Sequence, residues 1–149
     1  MNWSRSIPKR AAVVFAAALL AGCAGMGGSD GVSLRLTGAE EVPPVSTSAS
    51  GSGTVRVSDD GAVSGNFKTQ GASFTAAHIH EGAKGANGPV IIPLQKVNDT
   101  EWTVPAGAKL TPAQMQSYKQ GRLYVNFHSA KFKGGEIRAQ IQPGGGGGY

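Results

Sequence analysis

Strict period-two alternation in two segments near the C-terminus constrains this chain more than any other feature. In residues 122–128 Leu123, Val125 and Phe127 alternate with Tyr124, Asn126 and His128, and in residues 136–141 Ile137, Ala139 and Ile141 alternate with Glu136, Arg138 and Gln140. Successive strand side chains point to opposite faces, so the apolar set is expected to face inward and the polar set outward. Lys133-Gly134-Gly135 turns the chain between the two strands. The same pattern appears in Val32-Ser33-Leu34-Arg35-Leu36. It appears again in residues 53–57 and 62–67, where the intervening Asp59-Asp60-Gly61 favours a tight hairpin.

Phe74 to Glu81 predicts another strand, followed by a glycine-rich loop over residues 82–88, an apolar run over 90–94 and a short strand over 101–104. Pro43-Pro44 cannot donate to a ladder and belongs to an edge or loop. Thr111-Pro112-Ala113-Gln114 combines an N-cap, a proline at the first helical position and a residue able to close a capping box. It predicts a short helix to about Gln120 with Gly121 as its C-cap. Short strands with regular turns imply an all-β fold, an antiparallel β-sandwich or flattened barrel with one short helix in a connection. The 23 glycines and the 15% of charged residues agree with a turn-rich β protein.

The N-terminus reads differently. Arg5, Lys9 and Arg10 precede an apolar run over residues 11–21, the charged and apolar regions of a signal peptide. The run is too short to span a bilayer as a helix. It ends in Leu20-Ala21-Gly22-Cys23, which resembles the bacterial lipobox and implies cleavage before a lipid-modified Cys23. The expected organisation is a signal peptide over 1–22, a lipidated flexible tether over 23–31, one domain over 32–142 and a disordered glycine-rich tail over 143–149. Ala24 after the cysteine implies sorting to the outer membrane, so the membrane is an expected partner through Cys23. As the chain's single cysteine, Cys23 leaves no intrachain disulfide.

Losing the leader removes three of the 14 basic residues and leaves 11 against 9 acidic, a net charge of +2. The remaining lysines and arginines are interspersed with acids and form no run, which argues against nucleic acid as a partner. No G-x-S-x-G motif is present, and paired carboxylates for acid/base work cannot be assigned from spacing.

His78 and His80 flank Ile79 on one strand, so both imidazoles point the same way. His128 shares a face with Tyr124 and Asn126. If the two strands are neighbours, three imidazoles converge and would suit copper, or less well zinc, with an open position. The alternative is that these rings bind loop carbonyls and pin the 82–88 loop. Glu81 or Asn126 could orient a ligand, while Glu41, Glu136 and Arg138 are the other charges of interest. The bland reading of Glu136 with Arg138 is a surface or loop-pinning ion pair. Tyr124, Trp102 and Phe132 read as core or rim aromatics.

Leu36-Thr37-Gly38-Ala39-Glu40-Glu41-Val42-Pro43-Pro44, Ala77-His78-Ile79-His80-Glu81-Gly82 with Gly88-Pro89-Val90, Leu123-Tyr124-Val125-Asn126-Phe127-His128 and Gly135-Glu136-Ile137-Arg138, taken together, resemble the CHRD domain. The resemblance implies a β-sandwich of extracellular proteins without an assigned enzymatic activity. Ala139 departs from the glycine that many members carry there. His78-Ile79-His80-Glu81, with Gly88-Pro89 and Pro93-Leu94, also resembles short stretches of the copper-ligand strand and loop of Cu/Zn superoxide dismutases, whose fold is a Greek-key barrel. Two functions follow as expectations. One is a non-enzymatic envelope lipoprotein acting as a binding or structural module toward an envelope protein or polymer. The other is a copper-binding or redox protein using His78, His80 and His128. An enzyme acting on envelope polymers lacks any recognisable catalytic constellation.

Overall fold

The computed structural model describes residues 31–144 together with Met1. The rest of the expected signal peptide, Cys23, most of the tether and residues 145–149 lie outside the described residues. The described chain runs β1 (Val32–Thr37), a 3-10 turn (Gly38–Glu40), β2 (Ser50–Val57), β3 (Val63–Gln70), β4 (Phe74–Glu81), β5 (Val90–Pro93), β6 (Gln95–Lys96), β7 (Glu101–Thr103), α1 (Pro112–Lys119), β8 (Leu123–Ser129) and β9 (Ile137–Ile141). All strand pairings are antiparallel.

The strands form one sheet in the order β5-β4-β8-β9-β1-β2-β3-β7-β6. Its two halves, β5-β4-β8-β9 and β1-β2-β3-β7-β6, meet at a thin seam where β9 and β1 share a single pair, Thr37 opposite Arg138. The edge strands β5 and β6 are consecutive in sequence with only Leu94 between them, and Leu94 N donates to Ala77 O at 2.8 Å. That one-residue link folds the sheet back on itself into a flattened, nearly closed barrel, which protects most of the edge. The two-residue β6 is too short to show a period in the sequence.

Local chemistry explains the connections. Gly61 adopts φ +86° in the β2–β3 turn, a conformation open to glycine at little cost. Thr111 Oγ1 accepts from Gln114 N and the Gln114 side chain accepts from Thr111 N, so the capping box forms. Gly121, at φ +67°, follows the helix.

Inward residues from both halves meet in one core. Phe127 of β8 lies at its centre, edge-on to Phe67 of β3, Phe74 of β4 and Trp102 of β7 at ring separations of 5.7, 5.5 and 5.6 Å. It is the ring that joins the two halves. Phe127→Ala is expected to cost about 3–5 kcal/mol, the usual range for emptying an aromatic core site. Urea unfolding should show the loss as a lowered midpoint at nearly unchanged slope.

Candidate metal centre

Strands β4 and β8 lie side by side, with Ala76 opposite His128, His78 opposite Asn126 and His80 opposite Tyr124. Ala77, Ile79, Val125 and Phe127 take the core face, so the three imidazoles share the other face and surround Asn126. One ring nitrogen from each of His78, His80 and His128 lies within 4.8 Å of the others.

Hydrogen bonds set the tautomers. A backbone carbonyl can only accept, so His80 Nδ1–H donates to Gly88 O at 2.9 Å and His128 Nδ1–H donates to Lys133 O at 2.9 Å. Both rings therefore present an Nε2 lone pair. His128 Nε2 accepts from His78 Nδ1 at 3.0 Å, whereas His80 Nε2 is buried with no partner. Burial pushes His78 below the ordinary imidazole range, helped by His128 and His80. Burial does the same to His80, with the Gly88 carbonyl and Asn126 opposing. The neutral form of both rings is thus favoured, as ligation requires.

The loop-pinning reading holds for His80: the carbonyl that fixes its tautomer belongs to the 82–88 loop. Arg138 holds that loop more firmly. Its guanidinium lies 3.5 Å from the Tyr124 ring centroid, donates to Ala86 O, Ala83 O and Asn87 Oδ1, and reaches Gln140 Oε1. The opposite ring is His80, stacked on Tyr124 at 4.7 Å and 7°. Gln140 Nε2 donates to Gly82 O and Gly121 O, and Gly88 N donates to Tyr124 Oη.

The polar face of β8 and β9 is consequently not a solvent face, which corrects the expectation from alternation. Arg138, Tyr124, Asn126 and Glu136 are only 1, 2, 3 and 4% exposed. Loops cover them: Asn87 Nδ2 donates to Val42 O, joining the 82–88 loop to the segment after the 3-10 turn. Nor do Glu136 and Arg138 form an ion pair. Glu136 Oε1 accepts from Thr47 Oγ1 at 2.7 Å, while Arg138 serves the loop. Glu81 accepts from Ser117 Oγ at 2.6 Å and so ties α1 to β4 instead of orienting an imidazole. Trp102 is in the core, and Phe132 is half-buried under Lys131.

Glu41 is the residue whose place spacing could not give. It is buried beside Asn126 across Gly135, where an added Cβ would lie 2.5 Å from Glu41 Oε1 and 2.7 Å from Asn126 Nδ2. The Gly-Gly pair before Glu136 was the only trace of this close approach in the sequence. Gly135 adopts φ +132°, which also favours glycine.

The sequence model of the CHRD domain matches residues 32–141. The chain belongs to the CHRD domain family. No curated protein and no solved structure matches it. Membership supports a binding or structural module. In this CHRD domain the four segments that carry the family resemblance all reach one place. Glu41 comes from the first, His78, His80 and Gly88 from the second, Asn126 and His128 from the third, and Gly135 and Arg138 from the fourth.

Burial pushes the Glu41 carboxyl up from 4.5 to about 7, opposed by Arg138, the Val42 amide and Asn126. The folded state then holds a proton that the unfolded chain releases near pH 4.5, so this residue costs stability as pH rises through 7. Glu41→Gln is expected to be stabilising at pH 8.5, by roughly 2–3 kcal/mol, and near neutral at pH 4.5. Urea titrations of both proteins at the two pH values check this. An equal difference at both would show that the Glu41 carboxyl holds its proton no more tightly in the folded protein than in the unfolded chain.

Proposed function

We propose that this CHRD domain is a lipid-anchored copper-binding module of the bacterial envelope, with His78, His80 and His128 as nitrogen ligands. The observation that carries the reading is the convergence of one ring nitrogen from each histidine within 4.8 Å. Two neighbouring imidazole ligands each about 2.0–2.1 Å from one metal stand about 3 Å apart, and His78 Nδ1 and His128 Nε2 are separated by 3.0 Å. The spread of 4.8 Å over the three nitrogens must close to about 4 Å for all of them to reach one ion. Carbonyls behind His80 and His128 supply the orienting hydrogen bonds that imidazole ligands use.

Among divalent ions, an all-imidazole set favours copper over zinc by intrinsic affinity. Three ligands from two adjacent strands also leave at least one position open. When bound, copper would supply redox chemistry or a labile site for transfer. The protein's own part is to hold His78 and His80 neutral and all three rings oriented. His78 must first shift the proton it donates to His128 onto its other nitrogen.

Calorimetry of the metal-free mature protein with Cu²⁺ tests the site. We expect 1:1 binding that weakens as pH falls below the ordinary imidazole range, where His78 and His80 take up protons, and that disappears in His78→Ala/His80→Ala/His128→Ala. Equal binding by the triple variant overturns the copper reading and leaves a structural module.

The anchor rests on Arg5, Lys9 and Arg10, the apolar run and Leu20-Ala21-Gly22-Cys23. Several acyl chains on Cys23 would hold the domain firmly, where one would not. Mass spectrometry of protein from the outer-membrane fraction is expected to find a lipid-modified N-terminus at Cys23. An unmodified terminus, or cleavage elsewhere, overturns the anchor.

A further inference from the structure

Three buried side-chain atoms on this face have no hydrogen-bond partner: His80 Nε2, Asn126 Oδ1 and Glu41 Oε1. All three residues are more than nine-tenths buried. One such atom costs roughly 1–3 kcal/mol, so a cluster of them signals a missing partner.

The polarity of each atom is determined by what its residue already does. His80 gives its Nδ1 proton to Gly88 O, which leaves Nε2 as an acceptor. Asn126 Nδ2 and Glu41 Oε1 border the same small space at Gly135. The amide nitrogen of Asn126 thus stands on the Glu41 side. Asn126 stands opposite His78 on the face that carries the three imidazoles, and the atom left for that side is its carbonyl oxygen. This face thereby holds two buried acceptors, His80 Nε2 and Asn126 Oδ1, without a donor. A cation satisfies both. So would a water molecule, and the two occupants differ in what a metal would feel.

We infer that Asn126 Oδ1 is an oxygen donor to the ion held by His78, His80 and His128, with Glu41 acting as the positioning residue that fixes the amide. The inference rests on the copper reading above and deepens it, from three nitrogens to three nitrogens and one oxygen. An added oxygen donor favours Cu²⁺ over Cu⁺, because Cu⁺ prefers softer ligands. The site is accordingly one for the oxidised ion.

The experiment uses the mature chain loaded with one equivalent of CuSO₄, with electron paramagnetic resonance and competition titrations against Cu²⁺ and Cu⁺ chelators. Asn126→Leu is expected to change the Cu²⁺ spectrum and weaken Cu²⁺ about 10–100-fold, with Cu⁺ affinity changed less than about threefold. Asn126→Asp, which keeps an oxygen, should retain tight Cu²⁺ binding. Should Asn126→Leu not fold, wild-type protein carrying ¹³C-labelled asparagine side-chain carbonyls gives the same answer, through a copper–carbon hyperfine coupling. An unchanged spectrum and affinity in Asn126→Leu, or no such coupling, overturns the oxygen donor while the three-histidine site stands. Absence of any histidine-dependent Cu²⁺ binding in the wild type overturns both.

Discussion

A buried guanidinium organises this domain. Arg138 is almost fully covered, and removing such a charge from water costs several kcal/mol unless its donors are used. Here they are used on the carbonyls of Ala83 and Ala86 and on Asn87, with the Tyr124 ring beneath. The loop after β4 is therefore fastened over the outer face of β8 and β9. It packs on Tyr124, while Glu41 and Thr47 from the segment between β1 and β2 meet Asn126 and Glu136.

From that loop the order passes to the imidazoles. Gly88 is held against Tyr124, and its carbonyl decides which nitrogen of His80 carries the proton. Tyr124 lies between Arg138 and His80, so one aromatic ring serves as the floor for a cation and as the stacking partner of a proposed ligand. The positive charge of Arg138 is also among the influences that keep His80 neutral, after burial and His128. Loop attachment and readiness of the proposed ligand thus share one cause.

Buried acidic groups complete the arrangement at a cost. Glu41 is placed where its charge is disfavoured, and neither Arg138 nor its hydrogen-bonding neighbours restore the ordinary value. Such a residue does not stabilise the fold at neutral pH. What it does is restrict Asn126, since Gly135 leaves room for a carboxylate and an amide nitrogen where any other residue would place a Cβ. Glu136 behaves differently: it accepts from Thr47 and secures the segment before β2.

The strands, the β2–β3 hairpin and the capped helix were legible in the chain because each depends on a period or a turn of a few residues. Alternation in β4 and β8 also placed His78 with His80, and His128 with Asn126, on shared faces. Pairing of β4 with β8 was not legible, since more than 40 residues and four elements separate them. Nor was the cover over the polar face. Alternation reports which side of a strand is apolar, and a polar side reads alike whether water or a loop lies on it. Sequence by itself thus determined the all-β class and the inward set of each main strand. Only tertiary structure decided that Arg138 and Glu136 part company, that Glu41 reaches Asn126, and that three imidazoles meet, because these depend on contacts between segments distant in the chain.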